Sequence, residues 1–415
     1  MIDRIAPRFA RYEPLRHAAE LMAGMVAGLD RKNCWTIAEH RGNATPDGLQ
    51  HLLARAKWDA DAVRDDLRDY VIEAFGDPAA ILVVDETGDV KKGVCSVGVQ
   101  RQYTGTAGRI ENSQIAVYLT YAAPRGHTLI DRALYLPQSW TQDRQRCAEA
   151  GIPHSARGFA TKPRLAQRLI NDAVAANVPA AWVAGDEVYG ADPHLRAAIR
   201  GHGLGYVLAI SANRYVPTHA GRIRVDRLPA MLPKRAWQTH SAGAGSHGPR
   251  YYSWAWVDLL AEDDTVTGSH YLLIRRNNAT GEHAYLRCYA PRPATLHALV
   301  QVAGQRWRIE ESFQAAKGLT GLDQHQVRRW TSWYRWTTLA MLAHAFLAVA
   351  TATERDNRPT PAGLITLTVN EFRRLFDALL LVTKHTITSL LAWSRWRRQH
   401  QYRARQSHYR RHENQ

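Results

Sequence analysis

Cysteine is scarce in this chain. Its 415 residues hold four, Cys34, Cys95, Cys147 and Cys288, far apart and never spaced as CxxC. That spacing argues against a structural zinc site and against a small disulfide scaffold. Reduced thiols in a cytoplasmic protein are the simplest reading. An apolar signal region is missing too, since "MIDRIAPRFARYEPLRHAAELMAG" carries charges throughout. The longest apolar stretch, Thr337 to Thr353, is broken by His344 and by threonines, so a buried helix is expected and not a membrane span. The expectation is a soluble protein with no membrane partner. No internal repeat is visible. Acidic residues also run short: 38 Asp and Glu against 54 Lys and Arg leave a net charge of +16 and a pI near 9.9. A field of that sign favours a polyanion, nucleic acid ahead of an anionic membrane surface.

What is present is a globular composition, 45% hydrophobic and 22% charged, in a chain long enough for two or three structural units. Residues 1–76 read as helical and as a candidate DNA-binding region. In "TPDGLQHLLARAKW", Thr45 is placed as the N-cap with Pro46 at the first helical position. "DADAVRDDLRDYVIEAF" follows as an amphipathic segment. Helix pairs of this kind are packing units or DNA readers, and the net charge keeps DNA contact open.

Residues 77–212 change character. "AAILVVDETG" is a β-branched run ending in a carboxylate, as buried strands are, and "SQIAVYLTYAA" and "HTLIDRALYLP" read as two further strands. "KPRLAQRLINDAVAANV" reads as a helix, "AAWVAGDEVYG" as a strand, "DPHLRAAIRGHG" as a helix and "LGYVLAIS" as a strand. Three adjacent strands and then helix–strand alternation predict a mixed α/β fold, a mixed sheet with helices on its faces. Residues 213–292 read as a β-rich insertion. Helical pattern resumes over 293–354, and 355–415 form a basic helical end after the turn-like "ERDNRPTPAG".

Three carboxylates stand out. Asp85 and Asp186 each terminate an apolar strand, each with an acidic neighbour, Glu86 and Glu187. Ligand sites gather at strand ends in open α/β sheets, although turn-forming Asp is common there as well. The third, Glu310, lies in "RWRIEESFQAAK" (306–317), where Arg306, Glu310 and Lys317 share one stripe of a helix. By itself that stripe fits a solvated face with an i,i+4 ion pair. Three acids from distant elements can instead hold two divalent cations for phosphoryl transfer, and hard oxygen ligands suit magnesium or manganese.

The stretches "VVDETG", "SVGVQRQYTGTAG", "YLPQSWTQDRQRCAEAGIP", "WVAGDEVYG" and "RWRIEESFQAAKGLTGLDQHQVRRWTSWYRWTTLAMLAHAFL" resemble those of bacterial insertion-sequence transposases of the DDE superfamily. The similarity is to the branch with a β-rich insertion before the catalytic Glu, and it runs from about residue 15 to the end. It implies a ribonuclease H-like core that binds element ends, cuts them and joins them to target DNA with Mg2+ or Mn2+, in two ions. Asp85, Asp186 and Glu310 become the catalytic, metal-holding acids, with Glu311 as the alternative third. The branch's Tyr, Arg, Glu and Lys signature finds Arg306, Glu310 and Lys317, but Ala303 stands where Tyr is expected. Arg306 and Lys317 are then expected on DNA phosphates near the cleaved bond. Terminal inverted repeats and target DNA are the implied partners, a homodimer on paired ends the implied assembly, and the cytoplasm, at the nucleoid, the implied location. Two other readings are a ribonuclease H-like nuclease that never joins strands and a repurposed DNA-binding protein.

Further cations are candidates for DNA. "RRWTSWYRW" offers Arg328 and Arg329 among aromatics, the mixture that stacks on bases and grips backbone, while Trp333 and Trp336 fit a core face. Residues 395–412 carry seven Arg, Arg397 and Arg398 among them, and three His. Either this tail binds DNA, or it packs as a helix through Trp396 and Tyr402. Lys91 and Lys92 read equally as DNA contacts or a solvated loop. His127 and His344 are isolated in the sequence.

Overall fold

The computed structural model describes residues 1–415 except 246–247, 262–266, 362–363, 382–385 and 414–415. The chain forms two compact units, Leu67–Gln314 and a second unit made of Met1–Asp66 with Ala315–Gln415.

Leu67–Gln314 is organised by one sheet. β1 (Ile81–Val90) opens with four buried residues, the continuous run that a strand covered on both faces needs. β3 (Arg109–Ala123) pairs with it antiparallel, and β5 (Trp182–Gly185) pairs with it parallel on the other side. β4 (Gly126–Leu134) lies antiparallel beyond β3, and β6 (Gly205–Ile210) parallel beyond β5. This central order, β4-β3-β1-β5-β6, is the mixed ribonuclease H-like arrangement. β2 (Gln100–Thr104), in the Gly-flanked stretch where no strand was expected, pairs with the first half of β3.

The β-rich segment does not make a sheet of its own. β12 (His283–Ala290) pairs antiparallel with β6, and β11 (Ser269–Arg276), β10 (Gly248–Leu259) and β9 (Gln238–Gly245) follow outward, giving one ten-stranded sheet. β7 (Tyr215–Thr218) and β8 (Gly221–Arg224) form a separate two-stranded ribbon over a cluster that includes Val216, Val225, Leu272 and Ile274. The helix Lys162–Ala175, capped by Thr161, packs Leu165, Leu169 and Ile170 against β3 and β4. The helix Leu296–Gln305 packs against β9, and Gly304 permits it, since a Cβ there would stand 2.2 Å from the Ala242 carbonyl oxygen.

The second unit is helical. Its centre is the helix Trp330–Asn357, which passes a length-and-composition test for a membrane span, yet 83% of its most apolar window is buried. Trp333 and Trp336 are each 1% exposed and belong to the core, the second of the two roles that the sequence left open for them. The helix Asp47–Ala54 begins later than its sequence signals: Pro46 is the residue before it, and Thr45 bonds the Asp47 side chain at 3.0 Å. Its C-terminal carbonyls are not left to water. Buried Arg335 donates to Leu52 and Leu53, and to Ala56 and Trp58 just beyond the helix, while its guanidinium lies 5.0 Å from the Trp58 ring centroid. The C-terminal helix Ile387–Glu413 is held at its start: Trp393 Nε1 donates to the Asn43 carbonyl at 2.8 Å, and Trp396 packs edge-on against Trp35 at 4.8 Å. Tyr402, further along, is exposed.

Arg335 generates a stability prediction. Replacing it with Met fills the volume but removes the guanidinium from four carbonyls, of which Leu52 keeps the Trp58 Nε1 donor, at ~1–3 kcal/mol for each group left without a partner. Arg335→Met is expected to unfold at clearly lower urea concentration. Arg335→Lys is expected to recover little, since an ammonium lacks the planar fork that reaches several acceptors. A Met variant as stable as wild type would show that the fork contributes nothing.

Candidate active site

Two of the three acids are placed by strand register. Val84 of β1 lies opposite Gly185 of β5 in a parallel pair, so the next residues, Asp85 and Asp186, lie side by side. Asp186 follows the end of β5, whereas β1 runs on to Val90. Asp85 thus sits inside the strand and not at its end as its sequence suggested, because pairing with β3 continues past it. Neighbouring strands are ~4.8 Å apart, which puts two carboxylates within strong mutual repulsion. Asp186 also caps the one-turn helix Glu187–Gly190, its Oδ1 accepting from the Val188 amide at 2.9 Å. Gly190 allows this turn to lie on β6, because a Cβ there would meet the Ala209 carbonyl oxygen at 1.9 Å. Glu187 is exposed.

Glu310 arrives on the helix Trp307–Thr320, and Arg306 sits at the junction that precedes it. The Arg306 guanidinium stands between acids, with one terminal nitrogen 3.1 Å from Glu310 Oε1 and the other 3.8 Å from Asp85 Oδ2. Its charge also acts on Asp186. Burial, then the charges of Asp186 and Glu86, push the Asp85 carboxyl up to about 8, against the Glu86 amide bond and Arg306, which lower it. Asp186 is raised as well, by burial and then by Glu86. As placed, no group of three or more His, Cys, Asp or Glu among the described residues is close enough to hold a metal ion. The three carboxylates instead surround one cationic side chain, and their hard oxygens are the donor set that a divalent cation takes.

Lys317 lies on the same stripe as Arg306 and Glu310, but seven residues beyond Glu310, ~10 Å along the axis. Arg306, expected on a DNA phosphate, is paired here with Glu310 and Asp85. Glu311 points elsewhere: it pairs with Arg308 at 2.8 Å and with His127 at 3.3 Å, and the His127 bond, then Arg308, hold its carboxyl down to about 2. His127 is thus not isolated in space.

Sequence reasoning missed several residues here. Glu86 accepts from Lys162 Nζ at 2.5 Å and from the fully buried Tyr189 hydroxyl at 2.6 Å, so it ties the middle of β1 to the turn after β5. Tyr189 lies within the quoted "GDEVYG", but no pattern announces Lys162. Beside Asp186 and Arg306 a cavity of about 590 Å³ opens, lined by Arg250, Arg275, Tyr252 and Trp307 among others. Arg275 lies 4.7 Å from the Tyr252 ring centroid and Arg250 5.8 Å from that of Trp307. Ala303, where the resemblance expects Tyr, lines the same cavity. "PRYYSWAW" carried the signal, an arginine among aromatics on a strand.

The remaining candidate cations belong to the helical unit. Arg328 and Arg329 are exposed just before Trp330, and Arg398 is exposed on the C-terminal helix. Arg397 is in that helix, with its side chain outside the described residues. In the sheet unit, Lys92 is exposed and Lys91 half-buried. All four cysteines are unpaired.

A family model described as "DDE superfamily endonuclease" matches residues 4–241, a span that holds Asp85 and Asp186 but not Glu310. A probable transposase for insertion sequence element IS701 from Microchaete diplosiphon is 29% identical over 198 residues, covering 47% of this chain and 49% of that protein. The chain thus matches about half the length of this curated relative. Among solved structures, a piggyBac transposase synaptic complex with hairpin DNA matches at a TM-score of 0.43 and 12% identity, over 88% of this chain and 70% of that one.

The crowding of Asp85 has a measurable sign. Its folded-state pKa lies above the ordinary value of 3.8, so its contribution to stability is complete below that value and is lost as pH rises through about 8. In chelator, Asp85→Asn is expected to melt above wild type at pH 8–9 and level with it near pH 4, the gap opening between. Added Mn2+ should raise the melting temperature of wild type more than that of the variant. Equal melting curves in chelator at pH 4 and pH 9 would show that Asp85 carries no such strain.

Proposed function

Because the chain belongs to the DDE superfamily of endonucleases, we propose that it is a transposase that cleaves the ends of an insertion sequence and joins them to target DNA. The observation that carries this reading is that Asp85, inside β1, and Asp186, just past the carboxyl end of β5, lie side by side, with the Arg306 guanidinium between Asp85 and Glu310 and its charge also acting on Asp186. In this reading Asp85, Asp186 and Glu310 hold Mg2+ or Mn2+, as two ions. Bound there, the ions supply the Lewis acidity that activates a hydroxyl nucleophile and stabilises the leaving oxygen.

The chain's own residues position and hold. Asp85 and Asp186 are fixed by adjacent strands, and Glu86 beside them is held by Lys162 and Tyr189. Arg306, half-buried beside the acids, is placed to turn its guanidinium to a phosphate oxygen. Arg250 and Arg275 make the neighbouring cavity attractive to the flanking phosphodiester, and Tyr252 and Trp307 offer ring faces to bases. Substrates are the element's terminal inverted repeats and a target duplex. Pairing two ends calls for at least a homodimer, working at the nucleoid.

The test is cleavage and strand transfer on labelled end duplexes with Mg2+ or Mn2+. Asp85→Asn, Asp186→Asn and Glu310→Gln are each expected to lower both steps by ~10³-fold or more while leaving end binding intact, since the acids touch ions and not DNA. Full cleavage by Glu310→Gln would overturn its role, and cleavage without joining in wild type would make the chain a nuclease.

The C-terminal helix divides by role. Its aromatic start is docked, so the arginines beyond it are assigned to DNA affinity. Truncation after His400 keeps Trp393 and Trp396 but removes Arg403, Arg405, Arg410 and Arg411. The melting temperature should stay, and the slope of log affinity against log salt should fall by ~0.9 for each phosphate that is no longer neutralised. An unchanged slope would make the segment purely structural.

A further inference from the structure

We propose that His127 is a positioning residue for Glu310, setting the rotation of the glutamate helix about its own axis; the inference rests on the transposase reading above. The buried face of the helix Trp307–Thr320 presents Ile309, Ser312, Phe313 and Ala316. Ile309 and Ala316 are purely apolar, and Phe313 meets Tyr118 of β3 edge-on at 5.5 Å. Such contacts are favourable but weakly directional, so they hold a helix against a sheet better than they fix its roll.

The turn that carries Glu310 takes directional contacts from His127 at the start of β4. Its Nδ1 lies 2.9 Å from Ser312 Oγ, and its Nε2 lies 3.3 Å from Glu311 Oε2. Glu311 is held in turn by Arg308 at 2.8 Å, and Arg308 Nε donates to Gln305 Oε1 at 3.2 Å. One imidazole therefore grips two consecutive helix residues, ~100° apart around the axis, immediately after Glu310. An imidazole protonated at Nε2 serves both: Nε2–H donates to the Glu311 carboxylate, and Nδ1 accepts from the Ser312 hydroxyl.

Magnitudes show why roll matters. Side chains reach ~5–6 Å from the helix axis, so a roll of ~20° carries the Glu310 carboxylate about 2 Å. Metal–oxygen distances tolerate ~0.2 Å. The apolar face can absorb a small roll, but a metal ligand cannot. His127 does not approach the acids itself, and it acts through the helix.

The test uses the full chain and Mn2+ alone as the first probe. His127→Phe keeps a ring but removes both nitrogens, and Glu311→Gln keeps shape but removes the charge. Mn2+ affinity without DNA is expected to weaken ~10-fold or more in each, with the metal half-saturation of end cleavage shifted alike and end binding in chelator unchanged. Excess Mn2+ should restore most cleavage, and the double variant should lose no more than the worse single, since both act through one contact. A lower melting temperature with unchanged Mn2+ affinity and half-saturation in both variants overturns the proposal and leaves His127 a packing residue. If His127→Phe fails to fold, Glu311→Gln alone decides by the same two readouts. Wild type that binds Mn2+ but never cleaves end DNA would overturn the transposase reading instead, with the positioning role still legible in the binding data.

Discussion

Repulsion between carboxylates is the constraint around which the Leu67–Gln314 unit is arranged. Parallel strands with matched ends place Asp85 beside Asp186, and Glu86 adds a third negative group to the same buried corner. A cluster of that sign in low dielectric is unstable unless cations or protons answer it. The fold supplies several answers: Lys162 and the Tyr189 hydroxyl take Glu86, backbone amides bond Asp85 and Asp186, and Arg306 enters between Asp85 and Glu310. Gly190 and Gly304 belong to the same solution, because each lets backbone come close enough to bring a turn or helix to the site. Stability is given up locally where this negative charge is concentrated.

Legibility in the sequence followed the range of the interactions. Asp85 and Asp186 were readable because a buried strand leaves a continuous apolar run and each aspartate ends one; the run's end marks the strand's end at Asp186 but not at Asp85, where β1 continues to Val90. The Arg306–Glu310 pair was readable because i,i+4 spacing is a local property. Which of Glu310 and Glu311 faces the acids was only half readable, since helical geometry separates them by angle but does not say where zero lies. The residues beside Glu310 are contacted by His127, 183 residues before Glu310 and unmarked by any motif. The continuation of the sheet was hidden for a similar reason: alternation identified the later strands, while the pairing of β12 with β6 depends on a register that no single segment encodes. β2 was passed over because "SVGVQRQYTGTAG" has the glycines of a loop around five strand-forming residues.

The helical unit shows how composition misleads when read alone. Thirteen Trp and an excess of Arg suggest nucleic acid throughout, yet Trp333, Trp336 and Arg335 are interior. Arg335 sits where carbonyls converge, the structural use of a guanidinium, and the tryptophans are core volume. Arg398, Arg403 and Arg410, beyond Trp396, are instead exposed. Residue type alone therefore does not separate the two uses, and burial does.

The position of Glu310 in the chain has a consequence for synthesis. Asp85 and Asp186 leave the ribosome first, and 124 residues separate Asp186 from Glu310. Between them come the strands that zip onto β6, and only afterwards the helix Leu296–Gln305 that leads to the third acid. At ~5–20 residues per second that interval lasts ~6–25 s. A nascent chain holding both aspartates thus carries their mutual repulsion before Arg306 and Glu310 have been made. A product that stops anywhere in the interval lacks the guanidinium that stands between Asp85 and Glu310, and its paired aspartates are left to protons and solvent.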